Sequence, residues 1–189
     1  GKIAAAAGAL GADDYMVSVK LDVLERQFKK AEYTLLNQGK VDEAISMYHK
    51  LQKYDEAIAV AELKNRPEVD ELRRNFLQWL LDSGQSERAA VLKEREGDFA
   101  VAVELFLRGG MPARAAQLIT DHGLLGDPAL LERVAGALFK GGLYEKAGEF
   151  FEQLERYEQA LDAYRRGRAY RPAVELSRKV FPERVVQLE

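Results

Sequence analysis

Alanine recurs at an interval of thirteen residues along most of this sequence. The alanines form three triplets, and the first members, Ala31, Ala89 and Ala147, are themselves equally spaced. A chain that repeats with periods of this order folds into stacked units of one kind, since each unit buries its apolar face only against a neighbour. The nine positions are Ala31, Ala44, Ala57, Ala89, Ala102, Ala115, Ala147, Ala160 and Ala173.

Large residues flank most of these alanines at helical spacing. Tyr48, Phe106 and Tyr164 each stand four residues after an alanine, and residues three before and four after a position share one face of a helix. A small residue between large ones lets two helix axes approach to ~8 Å. We therefore interpret the nine alanines as helix-crossing positions. Three residues break the pattern and are expected at helix ends or rims: Ser86, Lys93 and Ser177.

The thirteen-residue interval fits one helix of about ten residues and a turn of about three, and turns that short connect antiparallel neighbours. Longer helical segments follow two of the triplets, at 67–84 and 125–142, with Gly84 and Gly142 as C-terminal stops. Strand signals are weak. The prediction is an all-α, tetratricopeptide-like fold: a right-handed superhelical solenoid of stacked antiparallel helix pairs, with about 12–13 helices.

The 58-residue spacing of the triplets also predicts the domain organisation. Asp14, Ser18 and Asp22 occupy positions where later units carry apolar residues. Residues 1–27 are therefore expected either to pack differently or to form the N-terminal helices of a truncated unit. The solenoid proper is expected over 28–189, with units at about 28–85, 86–143 and an incomplete 144–189.

Composition excludes several classes of protein. The net charge of −3 is too small to favour nucleic acids or membrane surfaces in general, and there is no cysteine for disulfide or thiolate chemistry. The longest apolar stretch, at 3–10, is far shorter than the ~20 residues that span a bilayer. It also lacks the context of a signal peptide. Because the chain begins with glycine and ends within a pattern, we interpret it as a piece of a longer protein.

No catalytic or metal-binding motif is present. His49 and His122 are far apart in the sequence and are expected near helix C-termini, where they would favour the helix dipole. The pairs Gly109-Gly110 and Gly141-Gly142 lack a phosphate-binding motif and are interpreted as helix C-caps. The sequence therefore predicts neither an enzyme nor a cofactor.

Aromatic residues at repeat positions are expected in the core. Tyr144, Tyr157 and Tyr170 are thirteen residues apart and stand three before the crossing alanines. Such tyrosines could stack on bases, but their register favours burial. Trp79, beside Phe76 on the face of a longer helix, is likewise expected in the core.

An arginine cluster at a predicted turn is the one candidate site. Arg165, Arg166, Arg168 and Arg171 fall within eight residues, "YRRGRAYR", whereas the rest of the chain is acidic. The cluster is either a solvated rim or a docking patch for an acidic partner, because guanidinium groups bind carboxylates and phosphates well.

Four longer stretches carry a resemblance to a known family: "VDEAISMYHKLQKYDEAIAVAE", "QWLLDSGQSERAAVLKEREGD", "ALFKGGLYEKAGEFFEQL" and "AVELSRKVFPERVVQLE". Together they resemble the helical-repeat region of the largest subunit of intraflagellar transport complex B. The resemblance implies a non-catalytic scaffold segment of transport trains, supporting cilium assembly and ciliary cargo transport. It implies as partners other complex B subunits, with complex A and the chain itself as further candidates. The implied location is the cilium or flagellum and the ciliary base, on the cytoplasmic side.

Two alternatives share the predicted architecture. A vesicle-coat or adaptor solenoid would have the same helix pairs and no catalytic centre. A nucleic-acid-binding helical repeat would use the arginine cluster and the tyrosines, but the acidic total and the absence of a polar code in each repeat disfavour it. We expect neither nucleic-acid binding nor membrane insertion.

Overall fold

The computed structural model describes residues 14–183, which are helix and turn without a strand. Twelve helices lie in this part of the chain, so the all-α helical-repeat prediction is confirmed. The first helix, α1, covers residues 14–24 of the described range. The others are α2 (Phe28–Asn37), α3 (Val41–Lys50), α4 (Tyr54–Leu63), α5 (Val69–Asp82), α6 (Ser86–Arg95), α7 (Phe99–Arg108), α8 (Pro112–His122), α9 (Pro128–Lys140), α10 (Tyr144–Gln153), α11 (Tyr157–Arg166) and α12 (Tyr170–Val180).

The chain divides into two compact units, with the boundary between Trp79 and Leu80 inside α5. In the first unit α3 packs against α2 and α4. In the second unit each helix from α6 to α12 packs against its neighbours in the chain. Sequential packing across short turns makes consecutive helices antiparallel.

Most turns are three residues long and are built alike. The middle residue has a left-handed backbone, as at Gly110 (φ 72°) and Gly142 (φ 77°). The third residue then donates its N–H to a carbonyl five residues back, as Leu143 does to Leu138 at 2.9 Å. This is the Schellman arrangement, which satisfies the free carbonyls at a helix end. The predicted C-cap role of both glycines is confirmed.

Some of these turns carry a side chain at the left-handed position. Glu155 has φ 56° there, and a left-handed backbone costs a residue other than glycine about 1–2 kcal/mol. We expect Glu155→Gly to raise the free energy of unfolding by about 1 kcal/mol, measured by denaturant titration. Gly142→Ala introduces the same left-handed strain and should lower the free energy of unfolding by a similar amount. A stabilised Gly142→Ala variant would contradict this account.

The core of the first unit includes three of the repeat alanines. Ala31, Ala44 and Ala57 have 0% exposure, and Tyr48 has 1%. The Tyr48 hydroxyl donates a hydrogen bond to Glu32 on α2. Burial and this acceptor together raise the pKa of Tyr48. Tyr48 therefore remains a neutral donor that ties α3 to α2 from inside the unit.

A buried carboxylate interrupts this core. Asp22 on α1 is 3% exposed. The 58-residue spacing of the repeat aligns it with Leu80 and Leu138, which are both fully buried. Its Oδ1 lies 2.9 Å from Lys30 Nζ, whereas Oδ2 has no hydrogen-bond partner among the described residues. Asp14 and Ser18 are exposed. Of the three polar residues that replace apolar ones in α1, only Asp22 thus occupies the core.

Three aromatic rings connect α4 to α5 in the same unit. Tyr54 stacks on Phe76 with ring centroids 5.2 Å apart, and Trp79 lies 5.4 Å from Tyr54. Phe76 is buried, and Trp79 is half-buried. Trp79, which was expected in the core, is therefore only partly buried.

In the second unit one glycine gives space to a buried ring. Gly148 on α10 faces Tyr164 of α11, which is 1% exposed. A Cβ on Gly148 would lie 2.5–2.9 Å from three carbons of that ring. Tyr164 is held in place because its hydroxyl donates to Glu152. The close crossing of α10 and α11 therefore depends on the missing side chain.

We expect Gly148→Ala to lower the free energy of unfolding by about 1 kcal/mol. The clash costs about 1–3 kcal/mol, and its central value of about 2 kcal/mol exceeds the ~1 kcal/mol that alanine adds to helix stability over glycine. Gly136→Ala in α9 is the matched control, because no atom lies within 4 Å of its new Cβ. That variant should be stabilised by about 1 kcal/mol. Thermal and denaturant unfolding measure both changes, and equal shifts of one sign would refute the clash.

Two expectations about individual residues are wrong. Ser177 does not lie at a rim but is fully buried, and its Oγ has no hydrogen-bond partner within residues 14–183. It stands four residues after Ala173, so the repeat register places it inward although it is polar. Tyr170 is not in the core but 63% exposed. It opens α12 at the turn that follows Arg168.

Candidate interaction surfaces

The nine repeat alanines lie at the packed faces of their helices. Eight of them are 0% exposed, and Ala173 is 1% exposed. The large residue four positions later is buried as well at Tyr48, Phe106 and Tyr164. Helices α3, α7 and α11, which carry these three rings at equivalent repeat positions, are therefore anchored in the same way.

Shallow grooves run between alternate helices. Residues of α1 and α3, including Met16, Val23 and Met47, line one of about 510 Å³. A second groove, of about 310 Å³, lies between α3 and α5 and carries Asp42, Glu68 and Glu71 with His49. In the second unit, α9 and α11 border a third groove of about 430 Å³. Each unit thus offers concave surface between helices that run parallel.

The two histidines lie near helix ends, against aromatic rings. His49 is exposed on α3 and meets Tyr54 edge-on, with ring centroids 5.3 Å apart. His122 ends α8 and stacks on Phe99 at 3.6 Å. Residues 14–183 contain no group of side chains that could hold a metal ion. Both histidines therefore lie in the last turn of a helix, each against an aromatic ring.

The four arginines of the predicted cluster lie at the turn between α11 and α12. Arg165 and Arg166 end α11, Arg168 is the left-handed turn residue, and Arg171 is the second residue of α12. All four are exposed. The cluster is therefore a single surface feature on the outside of one turn.

Two of these arginines have partners within the chain. Arg166 Nε lies 3.1 Å from Asp162, and its guanidinium lies 5.1 Å from the centre of the Phe139 ring on α9. Arg171 Nε lies 3.2 Å from Glu175. Among the described residues, the guanidinium groups of Arg165 and Arg168 have no such partner. Exposed pairs of this kind stabilise a fold by at most about 1 kcal/mol, so all four remain open to another anion.

Successive turns stack along this side of the second unit. A Cβ on Gly109, in the α7–α8 turn, would lie 3.5 Å from the Ser86 side chain at the start of α6. A Cβ built on Gly141 would lie 3.8 Å from the Pro112 side chain, and a Cβ built on Gly167 would lie 3.0 Å from the Tyr144 side chain. The turn after α7 therefore lies against the start of α6, the turn after α9 against the start of α8, and the turn after α11 against the start of α10. We call the row of turns 109–111, 141–143 and 167–169, with the helix ends that flank them, the turn ridge.

Two cations elsewhere in this unit are paired with acids that are distant in the sequence. Arg133 on α9 binds Glu104 on α7 through both guanidinium nitrogens, and this hydrogen bonding raises the pKa of Arg133. Arg156 lies 3.8 Å from Glu132. Both acids are on other helices, far from their partners in the sequence, so sequence spacing did not reveal these pairs.

Only one end of the turn ridge is evident from the sequence. Arg108 and Lys140 end α7 and α9 as Arg166 ends α11, but they are remote from the arginine cluster in the sequence. A usable signal was the arginine in the first turns of α8 and α12, Arg114 and Arg171, where no acidic residue stands beside it. Stacking of the turns brings these cations to one side.

The fold and its surfaces define an all-α helical-repeat protein. No helix within residues 14–183 has the length and apolar character needed to cross a membrane. No family model matches the sequence.

Comparison with curated proteins identifies the relatives of the chain. It is 46% identical over 183 residues to a human protein named intraflagellar transport protein 172 homolog, and this alignment covers 96% of the chain. Intraflagellar transport protein 172 of Chlamydomonas reinhardtii is 43% identical over 96% of the chain, and osm-1 of Caenorhabditis elegans is 37% identical over 96%. The chain spans about 10% of the length of each. The chain is thus similar to a segment of intraflagellar transport protein 172, which confirms the resemblance noted in the sequence.

Proposed function

We propose that this chain is a non-catalytic scaffold segment that mediates protein–protein contacts in intraflagellar transport trains. It would support cilium assembly and ciliary cargo transport. The observation that carries the proposal is the 46% identity to the human relative over 96% of the chain. The location that follows is the cilium or flagellum and the ciliary base, on the cytoplasmic side.

Two physical features support a scaffold role. Short helices packed on their sequence neighbours leave long stretches of helix surface and turn free for partners. The nine buried alanines, as helix-crossing residues, would hold adjacent helices close and so keep that surface in a fixed shape. Candidate partners are other subunits of complex B, subunits of complex A, and a second copy of the chain.

The arginine cluster is the proposed docking patch. Arg165, Arg166, Arg168 and Arg171 are exposed at one turn, and none is buried by the fold. Planar guanidinium groups form paired hydrogen bonds with carboxylates. The patch would mainly determine partner choice and the rate of association.

A segment exchange tests the function. The matched segment of the full-length human relative is replaced by this chain, and the hybrid is expressed in cells that lack the endogenous protein. We expect cilia to form at a frequency close to that with the unaltered relative. The matched control carries an unrelated helical repeat of equal length and should not restore cilia. If both hybrids behave alike, the segment has no specific role in transport.

A further inference from the structure

The turn ridge carries an excess of positive charge. The three segments 108–114, 140–146 and 165–171 contain two, two and four basic residues respectively, against a single acidic residue, Glu145. The basic residues are Arg108, Arg114, Lys140, Lys146, Arg165, Arg166, Arg168 and Arg171.

Helix electrostatics does not explain this distribution. Cations at helix C-termini, such as Arg108 and Lys140, favour the helix dipole, but cations in a first turn oppose it. Arg114, Lys146 and Arg171 all lie in first turns. The first turns of α3, α4 and α5 each contain two acidic residues. The ridge therefore concentrates charge where stability alone disfavours it.

The opposite ends of the same helices have the opposite sign. The turns 96–98, 123–127 and 154–156 contain four acidic residues and one arginine. The acids are Glu96, Asp98, Asp127 and Glu155, and the cation is Arg156, which lies 3.8 Å from Glu132. Helices α7 to α12 are thus polarised along their length, and a partner can distinguish their two ends by charge.

The cations of the ridge are available for binding. Within the described residues, the side chains of Arg108, Lys140, Arg165 and Arg168 have no ion-pair partner, and all four are exposed. The turns between them are open, since no described atom lies within 4 Å of a Cβ built on Gly110 or Gly142. A partner backbone could therefore approach the turns closely while its side chains reach the cations on both sides.

We propose that the turn ridge binds an extended acidic segment of a partner protein. The proposal deepens the scaffold function, on which it rests, by naming the surface and the chemistry of its occupant. Stacked helices are ~8–10 Å apart, so the three turns cover ~16–20 Å. An extended chain of about six residues spans that distance. Carboxylates spaced along such a chain could meet cations at all three turns.

Binding of a labelled octaglutamate peptide to the full 189-residue chain tests the proposal. The ridge variant carries Arg108→Glu, Lys140→Glu, Arg165→Glu and Arg168→Glu. The matched control reverses four other exposed cations that have no side-chain partner in the described part of the chain: Lys50, Lys64, Arg74 and Arg95. Fluorescence anisotropy at about 50 mM and 300 mM salt measures affinity, and circular dichroism with thermal unfolding verifies that both variants are folded.

We expect the ridge variant to lose about tenfold or more in affinity and the control to lose less than about twofold. Equal losses in both variants, or no binding by the unaltered chain, would overturn the proposal. Tighter binding of an oligouridine of equal charge would overturn the assignment to a protein segment. Analytical sedimentation of the chain alone measures self-association. If the unaltered chain self-associates and the ridge variant does not, the ridge binds a second copy of the chain, and the proposal of a partner segment is overturned. If the peptide binds the ridge but the segment exchange does not restore cilia, the proposed function is refuted and the assignment of the ridge stands.

Discussion

Ala160→Leu is expected to lower the free energy of unfolding by about 3 kcal/mol. Ala160 is fully buried on α11, which packs against both α10 and α12. Leucine adds three carbon atoms where the interior is already close-packed. Such overpacking typically costs about 1–3 kcal/mol, and the upper end applies because helices press on the site from two sides. Urea titration followed by far-ultraviolet circular dichroism measures the change.

The same substitution at an exposed alanine separates packing from side-chain chemistry. Ala113 is an exposed residue of α8 in the same unit. Ala113→Leu should change the free energy of unfolding by less than about 0.5 kcal/mol. If Ala160→Leu is equally mild, Ala160 is not a helix-crossing residue, and the structural role of the other repeat alanines would lose its basis.

Asp22→Leu is expected to raise the free energy of unfolding by about 2 kcal/mol. Asp22 is buried, and one of its oxygens has no partner among residues 14–183. Leucine has the same number of side-chain heavy atoms, branched in the same way, and fills the aligned buried positions Leu80 and Leu138. Replacing a buried ion pair by an apolar side chain of similar shape is neutral or gains about 1–4 kcal/mol. Lys30 is left exposed, so no charge is stranded in the core.

Two variants of α1 distinguish this explanation from a general effect of hydrophobicity. Ser18 is exposed on the same helix, so Ser18→Leu should alter stability by less than about 0.5 kcal/mol. Asp22→Asn keeps the size but removes the charge that pairs with Lys30, and it should destabilise the fold by about 1 kcal/mol. A destabilised Asp22→Leu variant would show that the carboxylate stabilises the first unit.

Helix lengths and turns follow from the sequence. The thirteen-residue interval predicted helices of about ten residues, and α2, α3 and α4 have ten each. The prediction was reliable because one repeated signal determines the start of every short helix. Gly84, Gly110 and Gly142 indicated where helices end, and all three have a left-handed backbone.

Exposure was less predictable than helix position. Tyr170 and Tyr54 stand at equivalent places in their triplets, yet Tyr54 is 9% exposed and Tyr170 is 63% exposed. The difference arises from neighbours, since Tyr54 packs on Phe76 and Trp79 of α5. Ser177 is the converse case, in which the helical register buries a polar side chain. A periodic pattern gives the face of a helix but not what covers it.

The candidate site was predictable only in part. The arginines at 165–171 are adjacent in the sequence and were recognised as a cluster. The ridge also includes Arg108 and Lys140, which lie on earlier helices, well before Arg165 in the sequence. Their proximity depends on how turns stack, which composition and spacing do not encode. The reversed charge preference in the first turns of α8 and α12 was the only local sign of it.

The sequential packing of ten-residue helices has a mechanical consequence. A helix that short is marginal alone in water, and within each unit most helix contacts are with the helices immediately before and after in the chain. Tension applied at one terminus should therefore peel off the outermost hairpin first and expose the next. Force–extension traces should show a series of small yield events instead of one abrupt rupture, so that a loaded molecule lengthens gradually and recoils when released.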